Sequence, residues 1–490
     1  MPKCMNRPQF QAGRCAFGVF LLLTSIYLLT MSRWWIHLDG PERYALTQSL
    51  ARGSVSVGLD EQGRPQYEKY GLGQPILMLP FYLSGRMLQA VWDVRFDQAQ
   101  DFNQPEHFCA NLYNQFVTGA LCAILFLGLI ELGYSARTGF FIAALLGLAT
   151  GFWPNARWFG NEPTAALLLL LVFYFLLRIL RRGEATREWI GLGASGMMAI
   201  LNNPVVTPLI FLMTGLTVFW LKGEGRGKGR GRALCLALLC AGIAAVMAYN
   251  AARYGSVFRT GYEENHGFRA FPQDIYSGKP GFSGPLLVGL YGNLLSSGRS
   301  IFIYSPPVLI GVLFFPRFWR RNRRAAALAA AASLFYLLVY SKWWCWYGGG
   351  CWGNRMLLPV VPLVMCAAAE GWERCARSWP MRAAFYVTSA VGMFVQALAV
   401  VVFCGVLFHA FVGPTFQGEF MVHFVPTFSP LAGQVALLAT KGLANHDLFL
   451  LATLREMPLF SLCVVLPALG MGISGAAILR RSLRSPDGEG

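Results

Sequence analysis

The chain has 490 residues, of which 55% are hydrophobic and only 13% charged, and its mean hydropathy is +0.46. A soluble domain carries about 25% charged residues, so this balance excludes an ordinary soluble enzyme and points to a polytopic membrane protein. The net charge of +17 does not indicate nucleic acid binding, because the basic residues fall in clusters between apolar runs and not across one polar domain.

Runs of about 20 apolar residues can cross a bilayer core of roughly 30 Å. They predict an all-α fold with about 12 transmembrane helices, near 16–36, 109–132, 139–156, 163–178, 189–202, 205–221, 233–252, 301–315, 325–341, 356–370, 383–411 and 458–479. The first run follows a basic start and ends at Ser32-Arg33-Trp34-Trp35 without a small-residue cleavage site, so it is expected to stay as the first span. Only Asn202-Asn203-Pro204 separates the fifth and sixth runs, which predicts a tight helical hairpin.

Basic clusters at Arg178/Arg181/Arg182/Arg187, Lys222/Arg226/Lys228/Arg230/Arg232, Arg317/Arg320/Arg321/Arg323/Arg324 and Arg480/Arg481/Arg484 lie on alternate loops. Lys and Arg accumulate on the cytoplasmic side, so both termini are expected there, in an inner (plasma) membrane. Contacts with anionic membrane lipids are expected at the same clusters. The long loops 37–108, 253–300 and 412–457 then face outward, carrying short amphipathic helices.

Charges held at a membrane face cost desolvation energy, which makes them functional candidates. Asp39 stands where the first span should leave the bilayer, and it fits either a general base or a helix-end cap. Glu162, in Asn161-Glu162-Pro163, fits either a second acid on the same face or an ordinary helix start with its acid at the positive dipole end. Lys69, Arg299 and Arg355 sit beside apolar runs on the outer face. They suit charge-assisted binding of a lipid phosphate, or plain interfacial snorkelling. Arg299 lies in Ser296-Ser297-Gly298-Arg299-Ser300, a turn expected to offer backbone N–H groups beside a cation. Trp343, Trp344, Trp346, Tyr347 and Trp352 flank a triple glycine, and read as an interfacial belt or as a platform for a sugar or lipid.

The six histidines, His37, His107, His266, His409, His423 and His446, are scattered without metal-ligand spacing. The cysteines lie mostly inside apolar runs, and Cys345 and Cys351, in one outer loop, are open to a disulfide.

Together these residues resemble the GT-C superfamily of polytopic glycosyltransferases, which use a polyprenyl-phosphate-linked sugar as donor. The likeness is to the branch with the protein O-mannosyltransferases and the lipid A aminoarabinose transferases. It rests on Asp39 followed by Arg43-Tyr44, on Tyr67-Glu68-Lys69 before an apolar stretch with Pro75, and on Glu162 at the fourth helix. Gly348 to Arg355 and Ser305-Pro306-Pro307 match patterns of bacterial relatives. The resemblance implies a catalytic module over 1–370, with its active segment in loop 37–108, and a C-terminal membrane region over 371–490 with outer loop 412–457. It implies an inverting transfer on the periplasmic face to a glycan, lipid or protein acceptor. Asp39 would be the catalytic base, Lys69 a donor-phosphate ligand, and Glu68 a ligand of a divalent metal in some members. Three departures stand out. Gly40-Pro41 separates Asp39 from the next acid, Glu42, which leaves Asp39 and Glu42 both open as the base. Tyr70 replaces a proline after Lys69, and the second acid is Glu where Asp is commoner.

Two other readings compete. A lipid or sugar transporter should carry broken helices near the membrane midplane, and Asn202-Asn203-Pro204 and Asn250 are the hints of that. A glycan polymerase or ligase would share the outer-face chemistry.

Overall fold

The computed structural model describes residues 7–32, 39–91, 105–223, 229–264, 281–375, 378–402 and 416–484. His37, His266, His409 and the end of the eleventh apolar run fall outside them.

The described chain is almost wholly helical. The first part holds α1 (Arg7–Leu29), α2 (Gly40–Ala51), α3 (Gly73–Val91), α4 (Pro105–Glu131), α5 (Ala136–Ala149), α6 (Phe152–Asn155), α7 (Glu162–Arg182), α8 (Thr186–Asn202), α9 (Thr207–Gly223) and α10 (Gly229–Tyr254). The second part holds α11 (Leu286–Leu295), α12 (Ile301–Tyr304), α13 (Pro307–Arg321), α14 (Arg323–Lys342), α15 (Val361–Cys375) and α16 (Trp379–Val401). Then come α17 (Phe416–Phe424), α18 (Pro430–Lys441), α19 (Phe449–Glu456) and α20 (Pro458–Arg484). A two-residue antiparallel pair, β1 (Gly58–Leu59) with β2 (Pro65–Gln66), closes a hairpin in the first long loop.

The described parts of the twelve apolar runs are mostly helical, the end of the first run also lying outside the described residues, but among the described residues eight helices are long and apolar enough to cross a membrane: α1, α4, α7, α9, α10, α14, α16 and α20. The other four expected spans are shorter, at 14 residues for α5, 17 for α8, and 15 each for α13 and α15. Proline explains one case: Pro306 and Pro307 break the eighth run into α12 and α13, because a proline at a helix start cannot extend the helix backward. The expected hairpin of the fifth and sixth runs is also corrected. Asn203 is extended before Pro204 (φ −151°, ψ 97°), and α8 packs along α10 and α7, with little of it against α9.

Between membrane helices, close packing replaces the hydrophobic drive of water, and small residues permit it. The longest contact is between α1 and α20. A side chain on Gly475 would stand 2.7 Å from the Leu22 backbone nitrogen and 2.8 Å from the Gly18 oxygen, so only glycine admits this approach. A second, smaller core of Tyr44, Tyr82, Phe108, Phe159, Phe449 and Phe460 fastens α2, α3 and α19 over one end of the bundle.

The two ends of α7 differ in chemistry. Its last turn carries Arg181 and Arg182, and Gly183 ends it with φ 92°. There Arg182 pairs with Glu131, Arg178 with Glu188 (2.7 Å), Arg232 with Glu184 (2.8 Å) and Arg321 with Glu370 (3.1 Å). Glu162 opens the helix 21 residues earlier, about 31 Å away at 1.5 Å per residue.

Candidate active site

Asp39 occupies the N-cap position of α2, yet its carboxylate makes no capping bond. The side chain instead accepts from Arg355 Nη1 at 3.1 Å. Glu162 sits in the first turn of α7 ahead of Pro163, and its Oε1 accepts from the same nitrogen at 3.0 Å. Glu162 Oε2 and Asn161 Oδ1 are buried without a hydrogen-bond partner. Two acids distant in sequence thus converge on one guanidinium.

The irregular loop between α14 and α15 presents that guanidinium. Gly348 and Gly353 have φ of 77° and 61°, a region that side-chain-bearing residues avoid. Arg355 Nε donates back to Gly348 O at 2.6 Å. Burial works against the charge on Arg355, and Asp39 and then Glu162 outweigh it, so its pKa is raised. For Asp39, burial pulls upward, but Arg355 and then Arg43 outweigh it and hold the carboxyl at about 2. Tyr70 adds a hydrogen bond to Asp39.

These groups line a cavity of about 740 Å³. Its lining includes the cations Arg43, Lys69, Arg253 and Arg355 and the apolar residues Leu201, Pro204, Val205, Val246 and Pro359. It also includes aromatic rings, among which Trp343 meets Tyr262 and Phe282 edge-on at 5.6 and 5.0 Å. Of the flagged aromatic residues, Trp343 and Trp344 line the cavity, while Trp346 and Tyr347 pack with Val288 and Phe424, and Trp352 packs with Tyr304, Val395 and Ala399.

Tyr70 organises the cations. Arg43 lies over its ring at 4.2 Å and the Lys69 ammonium at 5.2 Å. Arg43 is 5% exposed, and its Nε and Nη1 find no hydrogen-bond acceptor. Its neighbour Tyr44 points the other way, into the second core.

Four sequence candidates stand together at the cavity: Asp39, Glu162, Lys69 and Arg355. Glu42, Glu68 and Arg299 do not line it. Glu42 has a buried Oε2 without a partner. Glu68 is pushed up to about 7 by burial and then by the charge of Glu42, while its backbone oxygen holds Arg253 and Tyr254. Among the described residues no group of three His, Cys, Asp or Glu side chains is arranged to hold a metal; the acid whose charge acts on Glu68 is Glu42. Arg299 is fully buried and donates to the carbonyls of Gly349 (2.7 Å), Gly353 (3.2 Å) and Cys351. The Ser296–Ser300 turn spends its hydroxyl on structure: Ser300 caps α12 through Phe302 N and Ile303 N. Cys345 and Cys351 are not joined in a disulfide to each other.

No family model matches the chain, and no curated protein sequence does. Among the solved structures similar to it are two of one protein. One is ArnT from Cupriavidus metallidurans bound to undecaprenyl phosphate, at 17% identity and TM-score 0.45, covering 95% of this chain and 76% of that one. The other is the same protein in the apo state, at 15% identity and TM-score 0.47, with the same coverage.

Arg43, Tyr70 and Arg253 are site residues to which sequence reasoning gave no role. In the sequence Arg43 stands out only as part of Arg43-Tyr44, and Tyr70 only as a departure from proline. Arg253 carries a faint signal, a cation in the last turn of a long apolar helix, where it stacks on Tyr249 at 3.6 Å.

Proposed function

We propose that this protein is a membrane glycosyltransferase that moves a sugar from a polyprenyl-phosphate-linked donor to an acceptor hydroxyl on the outer face, with inversion. One observation carries the reading: two carboxylates meet one guanidinium at a cavity whose lining combines further cations with apolar side chains. The apolar lining suits a polyprenyl chain. Arg43 and Lys69 suit its phosphate, with Arg253 beside them.

In the reaction, Asp39 takes the proton from the acceptor hydroxyl. The acceptor oxygen bonds to the anomeric carbon as the bond from that carbon to the phosphate oxygen breaks in line. The electron pair leaves on the phosphate, whose charge rises from one to two negative. Cations fixed in a low-dielectric site stabilise that growing charge more than the ground state, which is what accelerates the step. Before the donor binds, Arg355 holds both carboxylates. A donor phosphate that draws on the charge of Arg355 loosens its grip on Asp39 and makes the base stronger. Glu162 then keeps Arg355 in place. Arg299 belongs in this scheme to the loop, and Glu42 stands behind the base without being it.

A second reading, a lipid or sugar transporter, is favoured by the helix break at Asn202–Pro204, which lines the cavity. Purified protein in proteoliposomes, given radiolabelled polyprenyl-phosphate sugar and candidate acceptors, separates the two. Transfer of label into a new glycoside supports the enzyme. Movement of unaltered donor across the bilayer supports the transporter.

A further inference from the structure

We propose that Arg299 and His423 are positioning residues, through which α17 sets the stance of Arg355 between the two acids; this rests on the transferase reading above.

The loop that bears Arg355 has no regular secondary structure to satisfy its carbonyls, and buried carbonyls need partners. Arg299 supplies them. It donates to Gly349, Cys351 and Gly353 oxygens, which bracket the stretch just before Arg355. A planar guanidinium with five donors in a fixed fork can hold several backbone oxygens in one arrangement, which an ammonium cannot. The next link is the bond from Arg355 Nε to Gly348 O, and the last is Nη1 on Asp39 and Glu162.

Arg299 is itself held from the C-terminal region. His423 Nε2 lies 3.4 Å from Arg299 Nη2, and the His423 backbone oxygen accepts from Gly298 N at 3.0 Å. The imidazole is fully buried, with its centroid 4.4 Å from Tyr347 and 5.5 Å from Trp346, both in the same loop. A continuous series of contacts therefore runs from α17 to the two carboxylates. Neither Arg299 nor His423 lines the cavity, so each acts through another residue and not on substrate.

The test is a double-mutant cycle on kcat in the proteoliposome assay. Arg299→Lys should lower kcat by about 10²-fold, the size expected for a small misplacement of reacting groups, with KM for donor near wild type. In the Arg299→Lys/Arg355→Lys double variant the loss should not exceed that of Arg355→Lys alone. Losses that multiply show Arg299 to be a general structural residue and overturn the inference. Should Arg299→Lys not give monodisperse protein, His423→Gln takes its place in the cycle. Alkylation of Cys345, a thiol of the same loop that lines the cavity, reads the loop without turnover. Arg299→Lys and His423→Gln should each raise its rate, and rates equal to wild type overturn the inference. Asp39→Asn run alongside separates the two failures. If it transfers normally, the assignment of Asp39 as base, on which the positioning role rests, is wrong; if it is dead while the cycle is multiplicative and Cys345 unchanged, only the positioning role is wrong.

Discussion

Asp39 and Glu162 accept hydrogen bonds from one and the same nitrogen, Arg355 Nη1, at 3.1 and 3.0 Å. Breaking a buried ion pair by removing one partner typically costs about 3–5 kcal/mol, so any variant at this junction must be checked for folding before its rate is interpreted.

The first prediction concerns the base. Asp39→Asn keeps the shape but cannot take a proton, and general-base loss costs roughly 10²–10⁴ in rate. Donor binding should survive, while Glu42→Gln should stay active, because Glu42 does not face the cavity. Rates measured in folded, inserted protein decide it: an inactive Glu42→Gln beside an active Asp39→Asn moves the base to Glu42.

Donor affinity gives the second. Arg43→Gln and Lys69→Ala should each weaken binding of the lipid phosphate, since a hydrogen bond to a charged group contributes about 1.5–3 kcal/mol, or about 10- to 150-fold in Kd. Equilibrium binding of labelled donor reads this directly. An unchanged Kd for Arg43→Gln removes it from the phosphate site.

The third is a pH profile. With Asp39 held at about 2, kcat/KM of the wild type should show no acid limb from this group above roughly pH 4. In Arg355→Gln the burial of Asp39 remains while its largest opposing charge is gone, so the pKa rises and an acid limb should move up into the measured range. Profiles of the two proteins that superimpose at low pH contradict the coupling.

Glu68 supplies a fourth, with the opposite sign from a paired carboxylate. Its folded pKa of about 7 exceeds the unfolded value near 4.3, so the folded state binds more protons between them. Stability should therefore fall as pH rises from about 4.5 to 7. In Glu68→Gln that slope should flatten. Thermal unfolding midpoints at pH 5 and pH 8 test it, and equal slopes in both proteins reject the assignment.

Orientation is the fifth. A reporter fused after residue 322 should read cytoplasm and one near residue 60 the outer side. The same side for both contradicts an active site facing away from the basic cluster.

Local patterns carried much of the architecture. The start of α7 was legible in Asn161-Glu162-Pro163, because proline and dipole effects act within the first turn. Span lengths were less legible: the 163–178 run continues as helix to Arg182, and the Pro306-Pro307 pair cuts a run that hydropathy joins. At the site, the acids and Lys69 were found as charges at membrane edges. Their meeting on Arg355 was not, because Asp39 and Arg355 are 316 positions apart and no periodicity links them. Arg299 misled for a physical reason: a cation in a Ser/Gly turn looks the same whether it faces a phosphate or a set of backbone carbonyls.

The contact of α1 with α20 bears on how the molecule is made. Ribosomes deliver α1 to the membrane before every other described helix and α20 after them, so the face of α1 around Gly18 waits for its permanent neighbour while the helices between are made. Until then lipid, the insertion machinery or a provisional helix must cover it. Chains halted before Pro458 would remain open along that seam, a natural mark for quality-control proteases to recognise.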